Sequence, residues 1–426
     1  MNVRLEKKNY IAEQSVNLFI AGMLLLPIYI DLMGTLAVAL GFSTKATTYL
    51  YYFSMWGLLA ASLPKILKGI SQGVLVGAVL FLILVILQYL LFPDNVRFVR
   101  MLPIPSLITF SSSTLLTVVP FILVGLAVTD IRELFRLLHA GARIGVVLGA
   151  ISYLLAVWSG QDIHYDDMST AYAICPVVCI LIACYRKRDF YFVGMGLFSL
   201  MMAGTRGPLV CVLVAAILKV VVLTPNSPKK QLKLILGVLA YIVLQTDLLM
   251  YVLDLMEAFF GLLGIEDLRI INYFREGMML DSSGRDTYFT MVAERMLEKP
   301  FLGFGVGGDR IITQRSYVHN IILELWASYG IFIGTAILGW MGYWIVQGIR
   351  ARNTEIQEVT TALFCGIVVK LFLSSSYLLS KELFVFLGIC IACARIPKEI
   401  ELQGGIKIGT DEESTQNNLD ADQIEE

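Results

Sequence analysis

Charge is scarce in this sequence. Asp, Glu, Lys and Arg make up 16% of its 426 residues, against roughly 25% in soluble domains. The few charges nearly cancel, with 33 basic against 34 acidic side chains. That balance excludes the basic surface of a nucleic-acid-binding chain and the charged, weakly apolar composition of a disordered one. The seven cysteines lie mostly inside apolar runs and set out no disulfide framework. The one CxxC, Cys390 to Cys393, falls in an apolar segment without a βαβ pattern, so these cysteines read as small core hydrophobes. A cleavable leader is not expected, because the first apolar segment is too long and lacks a small-residue cleavage site. What is abundant is hydrophobicity: 57% of residues and a mean hydropathy of +0.74. The composition specifies an all-α polytopic membrane protein.

A spanning helix needs about 20 mostly apolar residues. About twelve such segments are expected, near 15–42, 48–63, 72–92, 106–128, 143–158, 169–184, 189–203, 207–224, 232–253, 320–346, 357–375 and 377–394. The first is long enough to tilt, or to break at Pro27 or Gly34; those near 48–63 and 143–158 are short. Cytoplasmic loops carry excess Lys and Arg, and the basic clusters recur at alternate loops, as at Arg4, Lys7 and Lys8, at Lys65 and Lys68, and at Arg186, Lys187 and Arg188. The short loops of the other face, with the adjoining span ends, hold only Lys45, Arg97, Arg100, Arg206 and Lys381. Both termini are therefore expected in the cytoplasm. The organisation expected is a membrane bundle over 1–253, an extracytoplasmic loop over 254–318, a second bundle over 319–394 and a polar, disordered cytoplasmic tail over 395–426.

The long loop is neither polar nor of low complexity, and loops of this length are usually functional or disordered. Its segment 286–298 sets Phe289, Val292 and Met296 on one face, which predicts an amphipathic helix on the membrane or over the bundle. A similar turn is expected at 255–263. Seven basic residues lie in this loop (Arg269, Arg275, Arg285, Arg295, Lys299, Arg310 and Arg315).

Three constellations can carry chemistry. Gly204-Thr205-Arg206-Gly207-Pro208 is a short turn, and Pro208 suits a helix start. Arg206 there either joins a helix N-terminus to seat a diphosphate or snorkels to the interface. In Ser282-Ser283-Gly284-Arg285-Asp286, Arg285 either clamps a phosphate bidentately or pairs with Asp286 or Asp281 in a capping turn. The following Pro300–Gly308 stretch is rich in glycine but lacks the strand and lysine of a nucleotide loop. The third is Tyr317-Val318-His319-Asn320, with Glu324 beyond it. A helix N-terminus disfavours imidazolium, which keeps His319 neutral and able to take a proton; alternatively it is an interfacial histidine bonding a loop carbonyl. Asn320 suits an N-cap. Glu324, an intramembrane carboxylate, is either functional or the partner of Lys370 or an arginine. Asn320, Glu324, Tyr288, Arg310 and Asp166 are candidate contacts for a diphosphate or an acceptor. Asp162, His164, Asp166 and Asp167 could hold a cation, but no metal or other cofactor is expected.

The order TRG after a span, a long loop with GR…PxxGxG, then HN opening a span with glycine further on resembles the O-antigen ligase/polymerase superfamily. The resemblance covers residues 202–346 best. It implies a GT-C-like bundle with a loop of two helices roofing the site, and it carries the family's paired arginines and histidine onto Arg206, Arg285 and His319. It implies metal-independent, inverting transfer of a glycan from an undecaprenyl-diphosphate carrier, on the extracytoplasmic face of the bacterial inner membrane. The segments HNIILELWASYG and SSSYLLSKELF look more like surface-polysaccharide polymerases, which extend a lipid-linked repeat unit. The alternative is the ligase, which passes glycan to a lipid A core. A chain-length regulator is a candidate partner; nucleic acid is not. The rival class is a lipid-linked glycan transporter, against which stand the dissimilar halves and the scarcity of midplane charge.

Overall fold

The computed structural model describes residues 2–41, 43, 45–97, 115–159, 168–224, 228, 230–231, 233, 248–262, 271–272, 275, 285–314 and 317–395. Among these residues the secondary structure is helical, with no strand. The chain runs through α1 (Asn2–Leu40), α2 (Lys45–Lys68), α3 (Gln72–Leu91), α4 (Leu115–Leu126), α5 (Ile131–Trp158), α6 (Met168–Ala183), α7 (Phe190–Met202) and α8 (Arg206–Leu218). It continues with α9 (Leu248–Leu262), α10 (Arg285–Met296), the short α11 (Gly308–Thr313), α12 (Ile321–Ile349), α13 (Thr354–Leu363), α14 (Val369–Leu373) and α15 (Lys381–Ala394). A π-helical turn extends α8 over Lys219–Leu223, and another joins α13 to α14 over Phe364–Val368.

Five helices among the described residues are long and apolar enough to cross a membrane: Ile11–Leu40, Ile131–Trp158, Arg206–Leu223, Ile321–Ile349 and Thr354–Leu373. They become six if α2 and α3, bent by 112° at their junction, count as one broken span. The expected span near 232–253 lies largely outside the described residues; that near 106–128 is described from Leu115 on, as the 12-residue helix Leu115–Leu126, and those near 189–203 and 377–394 are helices of 13 and 14 residues. The first helix runs unbroken through Pro27 and Gly34. The span expected from 143 begins at Ile131 instead, because Asp130 caps it by accepting from the Glu133 N–H at 2.9 Å. Its charged first turns conceal that start from an apolar count.

Helix α5 is central, packing on α1, α6 and α7, while α6 passes the contact on to α8 and α13. The core they share includes Phe19, Ile20, Leu134, Ile174, Leu181 and Leu200, all buried. A second contact pairs α4 with α15, where Gly125 and Gly388 cross so closely that a methyl group on Gly125 would lie 2.8 Å from the Gly388 Cα. Small residues permit such backbone approach where lipid supplies no hydrophobic drive.

At one end of the bundle, where α6 and α8 finish, charges are paired. Glu358 accepts from Arg186 and Lys219, both at 3.2 Å. Asp189, fully buried, holds Arg143 at 2.6 Å and His139 at 3.0 Å. At the other end, the starts of α6, α8, α10 and α12 meet the end of α14.

Candidate functional site

The site is built on a break in α12. Gly330 has φ +81° and ψ 165° in the middle of that helix, a conformation essentially confined to glycine. The break releases backbone groups that a helix would pair internally. The loop 300–304 takes them: the Phe304 N–H donates to the Ala327 carbonyl, and the Ile331 N–H to the Pro300 carbonyl, both at 2.7 Å. A side chain on Gly330 would strike the Phe301 carbonyl carbon at 2.5 Å. The Asn95 amide clamps the same loop, donating to Phe304 and Val306 carbonyls at 2.8 and 2.9 Å. The glycine-rich stretch is thus a backbone plug, and it fixes α11 beside the start of α12.

That start carries His319. The preceding Val318 N–H donates to the buried Asp309 carboxylate at 3.0 Å, and burial pushes the Asp309 carboxyl up despite the adjoining Arg310. Asn320 is the N-cap, its side-chain oxygen accepting from the Ile322 and Leu323 N–H groups at 3.0 and 3.3 Å. Between them His319 has φ +59°, a left-handed value uncommon outside glycine. The Tyr317 ring lies 4.4 Å from the imidazole, centroid to centroid. The Tyr317 hydroxyl donates to the Ser374 carbonyl at 3.3 Å, and the same backbone lies against His319. Burial first, and then the nearby Arg285 guanidinium, hold His319 below the ordinary histidine range. With a ring N–H turned to that carbonyl, Nδ1 keeps its lone pair; it is buried and has no hydrogen-bond partner among the described residues.

Arg285 opens α10 and donates to the Leu373 carbonyl; Asp281, one of the partners expected for it, lies outside the described residues. Tyr172 of α6 also lies near Arg285, and beside Ser374. The Tyr172 hydroxyl presses on Gly207, in the place a side chain there would occupy. Arg206, the first residue of α8, is the next residue along. Tyr172 therefore stands between the Arg206 turn and Arg285, and nothing in its apolar helix signalled it. An alanine at Gly207 should displace Tyr172 and separate the two arginines. Gly207→Ala is expected to insert normally and to weaken binding of a diphosphate ligand, as isothermal titration would record.

Arg310 and Glu324 are brought together. Both are buried, their charged groups 3.6 Å apart, and Arg310 donates to the Ser376 hydroxyl at 3.1 Å. Ser376 in turn donates to Glu324, as does the Tyr377 N–H at 3.1 Å. Arg310 also stacks over Tyr317 at 5.8 Å. This pair ties α11, the head of α12 and the 373–377 segment into one body, on whose carbonyls Arg285, Tyr317 and His319 lean. Asn320 spends its side-chain oxygen on the helix. Tyr288 is half-buried, one turn beyond Arg285. Asp166 lies outside the described residues, with Asp162, His164 and Asp167. Among the described residues no group of three His, Cys, Asp or Glu side chains could hold a metal ion.

The arrangement sets the Arg285 guanidinium near the His319 imidazole, with the start of α8, which carries Arg206, on the other side of Tyr172. It suits an anion beside a hydroxyl that must lose its proton. A family model described as O-antigen ligase matches residues 190–339, from α7 into α12. No curated protein matches the chain.

Proposed function

We propose that the chain polymerises a surface polysaccharide, a reading supported by the match of the O-antigen ligase family model to residues 190–339. It moves the growing glycan from an undecaprenyl-diphosphate carrier to the next lipid-linked repeat unit, on the extracytoplasmic face of the inner membrane. What supports this reading is that Arg285 lies near His319 at one end of a membrane bundle, beside the start of the helix that carries Arg206.

Each group has one task. His319 takes the proton from an acceptor sugar hydroxyl. The oxygen attacks the anomeric carbon as the bond from that carbon to the diphosphate oxygen breaks. The electron pair leaves on the lipid diphosphate, whose growing charge falls between Arg206 and Arg285. A single displacement inverts the anomeric centre. Tyr288 and Asn320 border the acceptor side.

Purified Arg206→Ala and Arg285→Ala variants are expected to lose transfer about 10²–10³-fold each, the usual effect of removing one preorganised donor. Gel analysis of products from a lipid-linked repeat unit checks this, and undiminished transfer by either variant removes that residue from the mechanism. Lysine at 285 should restore little, because a point charge does not reproduce a planar fork. The second reading, transfer to a lipid A core, is favoured by the description of the matched family; adding that acceptor to the same assay separates the two.

A further inference from the structure

Lysine within a spanning helix is expensive and is ordinarily paired. This chain provides both cases. Lys219, at the far end of α8, lies 3.2 Å from Glu358 and donates to the Ala183 carbonyl. Lys370, in the span Thr354–Leu373, has no carboxylate or carbonyl partner among the described residues. Its nearest candidate by sequence, Glu324, is taken by Arg310, Ser376 and Tyr377. Glu358 is occupied by Arg186 and Lys219.

The surroundings of Lys370 sharpen the problem. It is only half-buried, and its charge is felt by Cys175 of α6 and Cys211 of α8. Its charged neighbour is another cation, the buried Lys381. It sits one turn before Leu373 and Ser374, the residues whose carbonyls receive Arg285 and Tyr317. It also follows the π-helical turn Phe364–Val368, a local irregularity often found at functional positions. From this depth a flexible four-carbon stem can lift the ammonium toward the head of α8.

We infer that Lys370 is a third cation of the anion site, contacting the phosphate of a lipid diphosphate from below while Arg206 and Arg285 hold it from above. An anion placed there supplies the partner that the described residues do not. It also separates Lys370 from Lys381 electrostatically. The inference rests on the lipid-diphosphate reading proposed above.

The test compares wild type, Lys370→Met and Lys370→Arg, each as purified full-length protein in detergent. Thermal unfolding is followed with undecaprenyl diphosphate, with undecaprenyl monophosphate and with neither. Wild type should be stabilised by the diphosphate, since a ligand of the folded state raises its midpoint, and more so than by the monophosphate. Methionine at 370 should leave the unliganded protein at least as stable as wild type, because it removes from the membrane a charge that has no carboxylate partner among the described residues. It should also weaken the diphosphate about tenfold or more, as for one charged hydrogen bond. Arginine should retain most of the affinity. Diphosphate affinity unchanged in the methionine variant overturns the inference. So does a lower unliganded midpoint in that variant, which would reveal an internal partner. Failure of the wild type itself to bind the diphosphate would instead remove the donor reading.

Discussion

Replacing His319 with Asn is expected to abolish glycan transfer while leaving binding of the lipid diphosphate intact. Asparagine is the informative substitution because it tolerates the left-handed backbone that residue 319 adopts. The start of α12 therefore keeps its shape, and the loss reports on the imidazole. General-base catalysis contributes about 10²–10⁴-fold, so turnover should fall by that amount. Loss of binding instead would make His319 a ligand or a structural residue. The pH profile adds a second check. Only neutral imidazole accepts a proton, so activity falls as acid protonates His319. Burial and Arg285 both disfavour the imidazolium, which places the acid limb below the ordinary histidine value of about 6.5. In any Arg285→Ala protein with measurable turnover, the limb should move upward. A wild-type limb above 6.5 would contradict the environment described for this ring.

The second large effect concerns stability. Glu324→Ala removes the acceptor of the Ser376 hydroxyl and the Tyr377 N–H and leaves buried Arg310 with the Ser376 hydroxyl and with Asp309, 3.8 Å away, as its one remaining carboxylate among the described residues. Breaking a buried pair from one side typically costs about 3–5 kcal/mol, most of it the penalty of an uncompensated charge. Thermal unfolding in detergent should show a midpoint many degrees lower. Glu324→Gln, which still accepts hydrogen bonds, should lose distinctly less. The double variant Arg310→Met, Glu324→Leu should recover much of the stability, because well-packed apolar residues often replace a buried ion pair at little cost. If Glu324→Ala unfolds like wild type, the pair does not hold the 309–324–377 body together.

Much of the helical framework was legible in the sequence, where apolar runs end at turns or charge. The segments expected at 72–92, 169–184, 189–203 and 207–224 correspond to helices Gln72–Leu91, Met168–Ala183, Phe190–Met202 and Arg206–Leu223. The amphipathic helix expected at 286–298 is Arg285–Met296, with Val292 and Met296 buried as their spacing required. Long-range pairing was not legible. Gly330 reads as one more glycine in an apolar run until the loop 300–304 is seen occupying the backbone groups it frees. The partner of Glu324 was open between Lys370 and an arginine, and only the fold assigns Arg310, leaving the lysine with no carboxylate among the described residues. Tyr172 sits in an apolar helix without any local signal, and its place against Gly207 depends on how α6 meets α8.

The most direct test supplies purified protein with a single lipid-diphosphate-linked repeat unit and no other acceptor, and separates the products by gel. A ladder of progressively longer lipid-linked glycans, absent with His319→Asn, is the expected result. No ladder, even after a lipid A core is added, together with movement of the lipid across a vesicle bilayer, would contradict glycosyl transfer as the function of this site.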